Sequence, residues 1–141
     1  MTRVNYRELA TAALEARKLS YSPYSNFRVG AALLTKSGKI FTGCNVESAA
    51  FSPTNCAERT ALFKAVSEGE REFCAIAVAG APEGGEAQYC YPCGVCRQML
   101  AEFFSADCEV IVVRNEEDYK LYMFEELFPH GFGPGDLTDM Y

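Results

Sequence analysis

The sequence lacks any apolar run approaching the ~20 residues that a membrane-spanning helix needs. Its first residues, Met1–Asn5, also lack the apolar core of a secretory signal peptide. These two absences predict a cytoplasmic protein with no membrane partner.

Basic residues are also scarce. The chain has 13 Lys and Arg against 19 Asp and Glu, for a net charge of −6. Most nucleic-acid binders need a basic face, and this sequence contains no basic run. The composition therefore argues against a polynucleotide partner. It is compatible with a single nucleoside, which carries no phosphate.

The pattern of the remaining sequence predicts an α/β fold. Its 141 residues are 49% apolar and 23% charged, the balance of one globular domain spanning residues 1–141. Helical patterns cover Asn5–Lys18, Cys56–Ser67 and Pro92–Phe104. Strand patterns cover Phe27–Thr35, Lys39–Asn45, Phe73–Ala79, Glu109–Arg114 and Lys120–Phe124. The order α-β-β-α-β-α-β-β favours a three-layer domain.

Cysteine is abundant, with seven residues, whereas histidine occurs once. Cysteines of cytosolic proteins stay reduced, so a cluster of them points to metal binding or catalysis. Cys93 and Cys96 are three residues apart and share one helix face, where both can reach one ion. Cys56, on another helix, would supply a third thiolate. Three protein ligands leave a fourth tetrahedral position open for water, as a catalytic zinc requires.

Two charged residues beside Cys56 suit this chemistry. Glu58 can accept a proton from a zinc-bound water without being a ligand. Three thiolates around a divalent ion leave a formal charge of about −1, which weakens the ion as a Lewis acid. The two helix N-termini and Arg59 would offset that charge.

The other cysteines and the histidine leave alternatives open. Cys90 lies three residues before Cys93 and could complete a four-cysteine structural site. That site would leave Glu58 unexplained, and Cys90 precedes the residue, Pro92, that can start a helix. Packing roles are favoured for the cysteines outside the cluster, Cys44, Cys74 and Cys108. The histidine, His130, is expected at the surface of a tail rich in Gly and Pro.

Five segments together resemble the cytidine deaminase family, in order and in register. A Cys-x-Glu followed by Pro-Cys-x-x-Cys is the zinc signature of nucleobase deaminases. The five segments are Ser22–Ala32, Gly43–Glu47, Asn55–Ala61, Pro92–Gln98 and Leu127–Phe132. The resemblance extends from the first helix to about Leu137.

The resemblance implies the short, homotetrameric type, a three-layer α/β/α domain with a mixed five-stranded sheet and one Zn²⁺ per subunit. The implied reaction is hydrolytic deamination of cytidine, and of 2′-deoxycytidine, in pyrimidine salvage. Zinc would be bound by Cys56, Cys93 and Cys96, and Glu58 would shuttle protons.

The resemblance also implies substrate contacts. Asn45 and Glu47 would bind the ribose hydroxyls, and the Ala57 N–H would contact the base carbonyl. Phe27 would line the base pocket, whereas Phe132 would pack against the base bound in a neighbouring subunit. Packing within the core remains an alternative for both phenylalanines. Arg59 would hydrogen-bond the zinc thiolates.

Three residues depart from the family pattern: Phe51, Ser48 and Tyr91 replace a frequent Tyr, Asn and Ser. These three positions belong to the rim of the pocket, so the departures would affect which nucleosides are preferred rather than the reaction itself. A deaminase of another aminopyrimidine nucleoside, such as blasticidin S, is one alternative function. A non-catalytic, zinc-stabilised module is another, and it requires four protein ligands. Deoxycytidylate is disfavoured because no cationic phosphate site follows Asn45.

Overall fold

The computed structural model describes residues 3–138, and these form a five-stranded sheet between helices. The strands are β1 (Phe27–Thr35), β2 (Ile40–Cys44), β3 (Phe73–Pro82), β4 (Glu109–Asn115) and β5 (Asp118–Met123). The helices are α1 (Tyr6–Ala16), α2 (Ala57–Ser67), α3 (Gly94–Ala101), α4 (Phe124–Leu127) and α5 (Pro134–Thr138). A short 3₁₀ turn, Arg17–Leu19, follows α1.

The strand order is β2-β1-β3-β4-β5. β3 and β4 are parallel, whereas the other neighbouring pairs are antiparallel. The connection between the parallel strands contains α3, as a parallel crossover requires. The predicted mixed five-stranded sheet is confirmed.

Helices cover both faces of the sheet. Leu9, Ala10 and Ala13 of α1 pack on one face, against alanines of β3. Ala61 and Leu62 of α2 pack on the other face. Leu100 of α3 shares this second core, so the three-layer α/β/α prediction is also confirmed.

Close approach of α2 to the sheet depends on one glycine. A Cβ at Gly43 of β2 would lie 2.5 Å from the Ala61 nitrogen and 2.6 Å from the Ala57 oxygen. Only a residue without a side chain lets the helix backbone come so near. This contact fixes the start of α2 against the end of β2.

The helix boundaries differ from the predicted ones in an informative way. Cys56 and Cys93 are not helical, because each adopts an extended N-cap conformation before α2 and α3. Pro92 therefore lies before α3 and does not start it. The same helix ends at Ala101 rather than Phe104, where the chain turns so that Phe104 packs against the Phe73 ring.

Two short helices near the C-terminus were not predicted. Residues 124–127 form α4, so Phe124 begins a helix and does not end the fifth strand. Residues 134–138 form α5 within the segment expected to be irregular. Within residues 3–138, none of the helices has the length and apolar character needed to cross a bilayer.

Candidate active site and metal centre

Three cysteines converge at the N-terminal ends of α2 and α3. The Sγ atoms of Cys56, Cys93 and Cys96 all lie within 4.8 Å of one another, and those of Cys56 and Cys93 are 3.8 Å apart. A tetrahedral site with Zn–S bonds of about 2.3 Å places its sulfurs about 3.8 Å apart. The spacing and the thiol donors therefore fit zinc.

The N-cap positions explain why these thiols can carry negative charge. Cys56 and Cys93 precede α2 and α3, where unpaired backbone N–H groups and the helix dipole favour anions. The Cys96 N–H points back to the Cys93 Sγ at 3.5 Å. The expected placement at two helix N-termini is confirmed, with α2 beginning one residue and α3 two residues later than predicted.

Arg59 lies behind the cluster, on the first turn of α2. Its Nη2 donates to the Cys56 Sγ at 3.3 Å. A hydrogen bond from Cys96, opposed by partial burial and reinforced by Arg59, lowers the pKa of the Cys56 thiol to about 5. A thiolate is thus favoured at neutral pH, and the predicted contact between Arg59 and a cluster thiol is present.

Glu58 is a carboxyl group in an apolar setting. Only 4% of the residue is exposed. Burial raises its pKa to about 7, and the neighbouring Cys56 adds to this effect while Arg59 opposes it. A carboxyl poised near neutrality can both accept and release a proton, which suits a general acid–base role.

A cleft of about 390 Å³ opens over the cysteine cluster. It brings together seven of the residues predicted to bind zinc, transfer protons or contact substrate: Phe27, Asn45, Glu47, Cys56, Ala57, Glu58 and Cys93. Its wall is completed by Val29, Thr54, Asn55, Val78, Cys90 and Tyr91. Residues from β1, β3, the segment between β2 and α2, the start of α2 and the segment before α3 thus meet in one concave site.

Asn45 is already hydrogen-bonded within the protein. Its Oδ1 accepts from the Val29 N–H at 2.9 Å and from the Ser20 hydroxyl at 2.5 Å. Its Nδ2 donates to the Phe27 oxygen at 2.8 Å, which leaves one N–H of the amide for another acceptor. The side chain is therefore rigidly oriented at the edge of the cleft.

Glu47 is held in a similar way by the loop before β1. Its Oε1 accepts from the N–H groups of Tyr24 and Ser25 at 3.0 and 3.1 Å. Its Oε2 accepts from the Ser25 hydroxyl at 2.5 Å, and this bond lowers the pKa of the carboxyl. Glu47 therefore presents a fixed negative charge to the cleft.

Phe132 does not reach the cleft of its own chain. It is 56% exposed, and its oxygen accepts from the Gln98 Nε2 at 2.8 Å. Phe51, which adopts a positive φ of 62°, is 70% exposed and is not among the cleft-lining residues. Ser48 is also absent from the lining, although its N–H is bonded to Thr54.

Cys90 is one of the cleft residues that sequence reasoning missed. It lies outside the cysteine cluster, which among the described residues contains three thiols, so the four-cysteine alternative loses its geometric support. Its Sγ would lie 2.8 Å from a Cβ at Gly80, beside the Phe27 ring. Its position before Pro92 indicated a loop, and the family resemblance placed the neighbouring Tyr91 at the pocket rim. No local signal indicated that the Cys90 side chain itself faces the cleft.

The packing interpretation holds for the remaining cysteines. Cys108 is buried in the core beneath α2, and Cys44 and Cys74 are half-buried. His130 is exposed, as expected from the sequence.

Comparisons with known proteins agree with this geometry. The family described as the cytidine and deoxycytidylate deaminase zinc-binding region matches residues 3–113. A cytidine deaminase of Sporosarcina psychrophila is 44% identical over 135 residues, covering 96% of each chain. A blasticidin-S deaminase of Bacillus cereus is a more distant relative, 32% identical over 86% of this chain and 88% of its own.

A solved structure resembles the whole fold. The crystal structure of cytidine deaminase from Burkholderia pseudomallei superposes with a TM-score of 0.81 at 45% identity, covering 94% of this chain and all of the other. The chain therefore belongs to the zinc-binding cytidine and deoxycytidylate deaminase family, and its Cys56, Cys93 and Cys96 cluster fits one zinc per subunit.

Proposed function

We propose that this protein hydrolyses cytidine, and 2′-deoxycytidine, to uridine or deoxyuridine and ammonia. The observation that carries the proposal is the buried Glu58 carboxyl, which lines the same cleft as Cys56 and Cys93. A buried glutamate whose pKa lies near 7, next to a cluster of three thiols, suits the hydrolysis of an aminopyrimidine.

The roles divide between the cluster and Glu58. Cys56, Cys93 and Cys96 would hold the zinc, which supplies a water of lowered pKa as the nucleophile. The Glu58 carboxylate accepts a proton from the attacking water and delivers it to N3 of the base. As the hydroxyl added at C4 becomes the new carbonyl, Glu58 accepts the second proton of the same water. It delivers this proton to the 4-amino group, which leaves as ammonia.

Four residues of the cleft would orient the nucleoside. The remaining N–H of Asn45 and the fixed carboxylate of Glu47 bind the ribose hydroxyls. The Ala57 N–H, in the first turn of α2 where N–H groups lack helical partners, bonds the base carbonyl. The Phe27 ring lines the base pocket. The negative Glu47 also disfavours a substrate that carries a phosphate.

The wider setting follows from the same proposal. Residues 1–141 act as one domain in a cytoplasmic homotetramer that serves pyrimidine salvage. Phe132, exposed on its own chain, packs against the base bound in a neighbouring subunit. Its exposure and its absence from the lining of its own cleft support that assignment.

The decisive experiment follows the ultraviolet change when zinc-loaded protein is mixed with cytidine. We expect conversion to uridine that disappears on treatment with a strong chelator and returns with added zinc. Blasticidin S serves as a parallel substrate. Turnover of blasticidin S alone would assign the other aminopyrimidine activity, and turnover of neither by protein carrying one zinc would reject the enzymatic function.

A further inference from the structure

The connection from β3 to α3, residues 83–93, forms one wall of the cleft, and we call it the cleft loop. It contains Cys90 and Tyr91, which line the cleft, and ends at the zinc ligand Cys93. Its backbone is bonded to β3 by Gln88, which donates to the Gly80 oxygen at 2.8 Å. Between Gln88 and Pro92, side chains provide the contacts that hold the loop.

These side chains reach β5. The Tyr89 hydroxyl donates to Asp118, and the Lys120 Nζ lies 4.5 Å from the centre of the Tyr89 ring. The Tyr91 and Tyr122 hydroxyls are 2.7 Å apart, and their rings meet edge to face with centroids 5.5 Å apart. The loop is therefore attached to β5 at two points.

The contacts between the cleft loop and β5 involve every second residue of each segment. Asp118, Lys120 and Tyr122 alternate along β5 and so share one face of the strand. Tyr89 and Tyr91 alternate in the same way along the cleft loop. The residue between them, Cys90, lines the cleft.

Cys90 transmits the position of the loop to the base pocket. A Cβ at Gly80 would be 2.8 Å from the Cys90 Sγ and 2.9 Å from the Phe27 Cε1, so the thiol and the ring crowd the same spot. Any outward shift of the loop would open a gap beside Phe27.

We propose that the Tyr91–Tyr122 hydroxyl pair is a positioning device that holds the cleft loop, and with it the Cys90 wall of the substrate cleft, against β5. Neither hydroxyl is required to touch the reacting atoms. Tyr122 is absent from the cleft lining altogether, so its effect on substrate must pass through Tyr91. The assignment of a substrate effect rests on the proposed cytidine activity.

The test compares Tyr122→Phe, Tyr91→Phe and the double variant, each zinc-loaded. Loss of one neutral hydrogen bond should raise the KM for cytidine about 3- to 10-fold in each single variant, with kcat nearly unchanged. Because both variants break the same bond, the double variant should match the singles. Tyr119→Phe, on the same strand but beside Tyr6, is the matched control and should leave KM unchanged.

A second readout does not depend on cytidine turnover. Alkylation of Cys90 by iodoacetamide, mapped by peptide mass spectrometry, should accelerate several-fold in both single variants and not in the control. If the wild-type protein fails to convert cytidine, the proposed function is rejected. The alkylation rates of Cys90 still show whether the Tyr91–Tyr122 pair holds the cleft loop. Additive KM effects, or alkylation rates equal to the control, would overturn the proposal. Should Tyr122→Phe fold poorly, Tyr91→Phe alone supplies the same comparison.

Discussion

The guanidinium of Arg59 donates a hydrogen bond of 3.3 Å to the sulfur of Cys56. A full positive charge therefore lies against a sulfur that would share a bound ion with two other thiolates. This contact offsets the negative charge of the cluster, which otherwise weakens a bound divalent ion as an electrophile.

Replacing Arg59 by Gln should weaken both zinc binding and catalysis. Residues that bond metal ligands typically contribute a factor of about 10 to 100 in affinity or activity. We expect a loss of this size in zinc affinity, measured by competition with a chelator, and in kcat/KM. Arg7→Gln removes a cation from an exposed ion pair with Glu117 and is the control. Zinc affinity within twofold of wild type would contradict the role given to Arg59.

Glu58→Gln tests the proton-transfer role. The amide has nearly the shape of the carboxyl but cannot exchange protons, so kcat should fall by at least about 10²- to 10⁴-fold. Zinc content and thermal stability should stay close to wild type. Glu68→Gln, at the exposed C-terminal end of the same helix, should be silent in all three measurements. A variant at position 58 with wild-type kcat would remove Glu58 from the mechanism.

Gly43→Ala tests the contact between α2 and the sheet. The new methyl would lie within 2.6 Å of backbone atoms of Ala57 and Ala61, which cannot swing away as a side chain could. Overpacking of this kind costs about 1–3 kcal/mol, and the free energy of unfolding by urea should fall by at least that amount. Gly94→Ala is the control, because nothing lies within 4 Å of its added methyl. Equal stabilities of the two variants would refute the steric account.

The hydrogen bond of Tyr6 makes the free energy of unfolding depend on pH in the alkaline range. Its hydroxyl lies 2.9 and 2.7 Å from the two carboxylate oxygens of Glu109, and this hydrogen bond raises its pKa to about 12. The folded state therefore keeps the Tyr6 proton between pH 10 and 12, where the unfolded chain loses it. The stabilisation is complete below pH 10 and declines as the pH rises through 12.

Urea unfolding of wild type and Tyr6→Phe, below pH 10 and at about pH 12, measures this effect. The stability difference between the two proteins should shrink at the higher pH. Tyr21→Phe, at a position that is 57% exposed, corrects for the general effect of removing a tyrosine. A difference that stays constant over this range would show that Tyr6 does not titrate as described.

Local patterns predicted the fold and the metal cluster well for physical reasons. Cys93 and Cys96 are close in sequence, so the spacing between an N-cap residue and the first turn of its helix brings their sulfurs together. The alternation of strands and helices predicted the layers, since a parallel crossover needs a helix. The resemblance to a known family added Asn45 and Glu47, which spacing alone did not distinguish from ordinary loop residues.

Contacts between segments that are distant in the sequence could not be predicted from such local patterns. Cys90 faces the cleft in a loop whose next residue, Tyr91, is bonded to Tyr122, 31 residues later in the chain. The boundary between β5 and α4 depends on a capping bond in which Glu126 accepts from the Met123 N–H at 2.8 Å. Neither contact can be read from hydrophobic periodicity, because each depends on where another segment lies.

The register of the β1–β2 hairpin limits where residues can be inserted or deleted in this protein during evolution. Gly30 is paired with Cys44, and the Asn45 N–H donates to the Val29 oxygen at 3.2 Å, immediately beyond the paired region. Inserting or deleting one residue in the distant turn around Gly38 would slip this register and turn the side chain of Asn45 to the opposite face. The turn should therefore conserve its length even where its sequence varies, whereas the cleft loop can vary in length before Gln88, where its backbone is bonded to Gly80 of β3. A feature far from the chemistry thus limits which relatives of this chain can remain active.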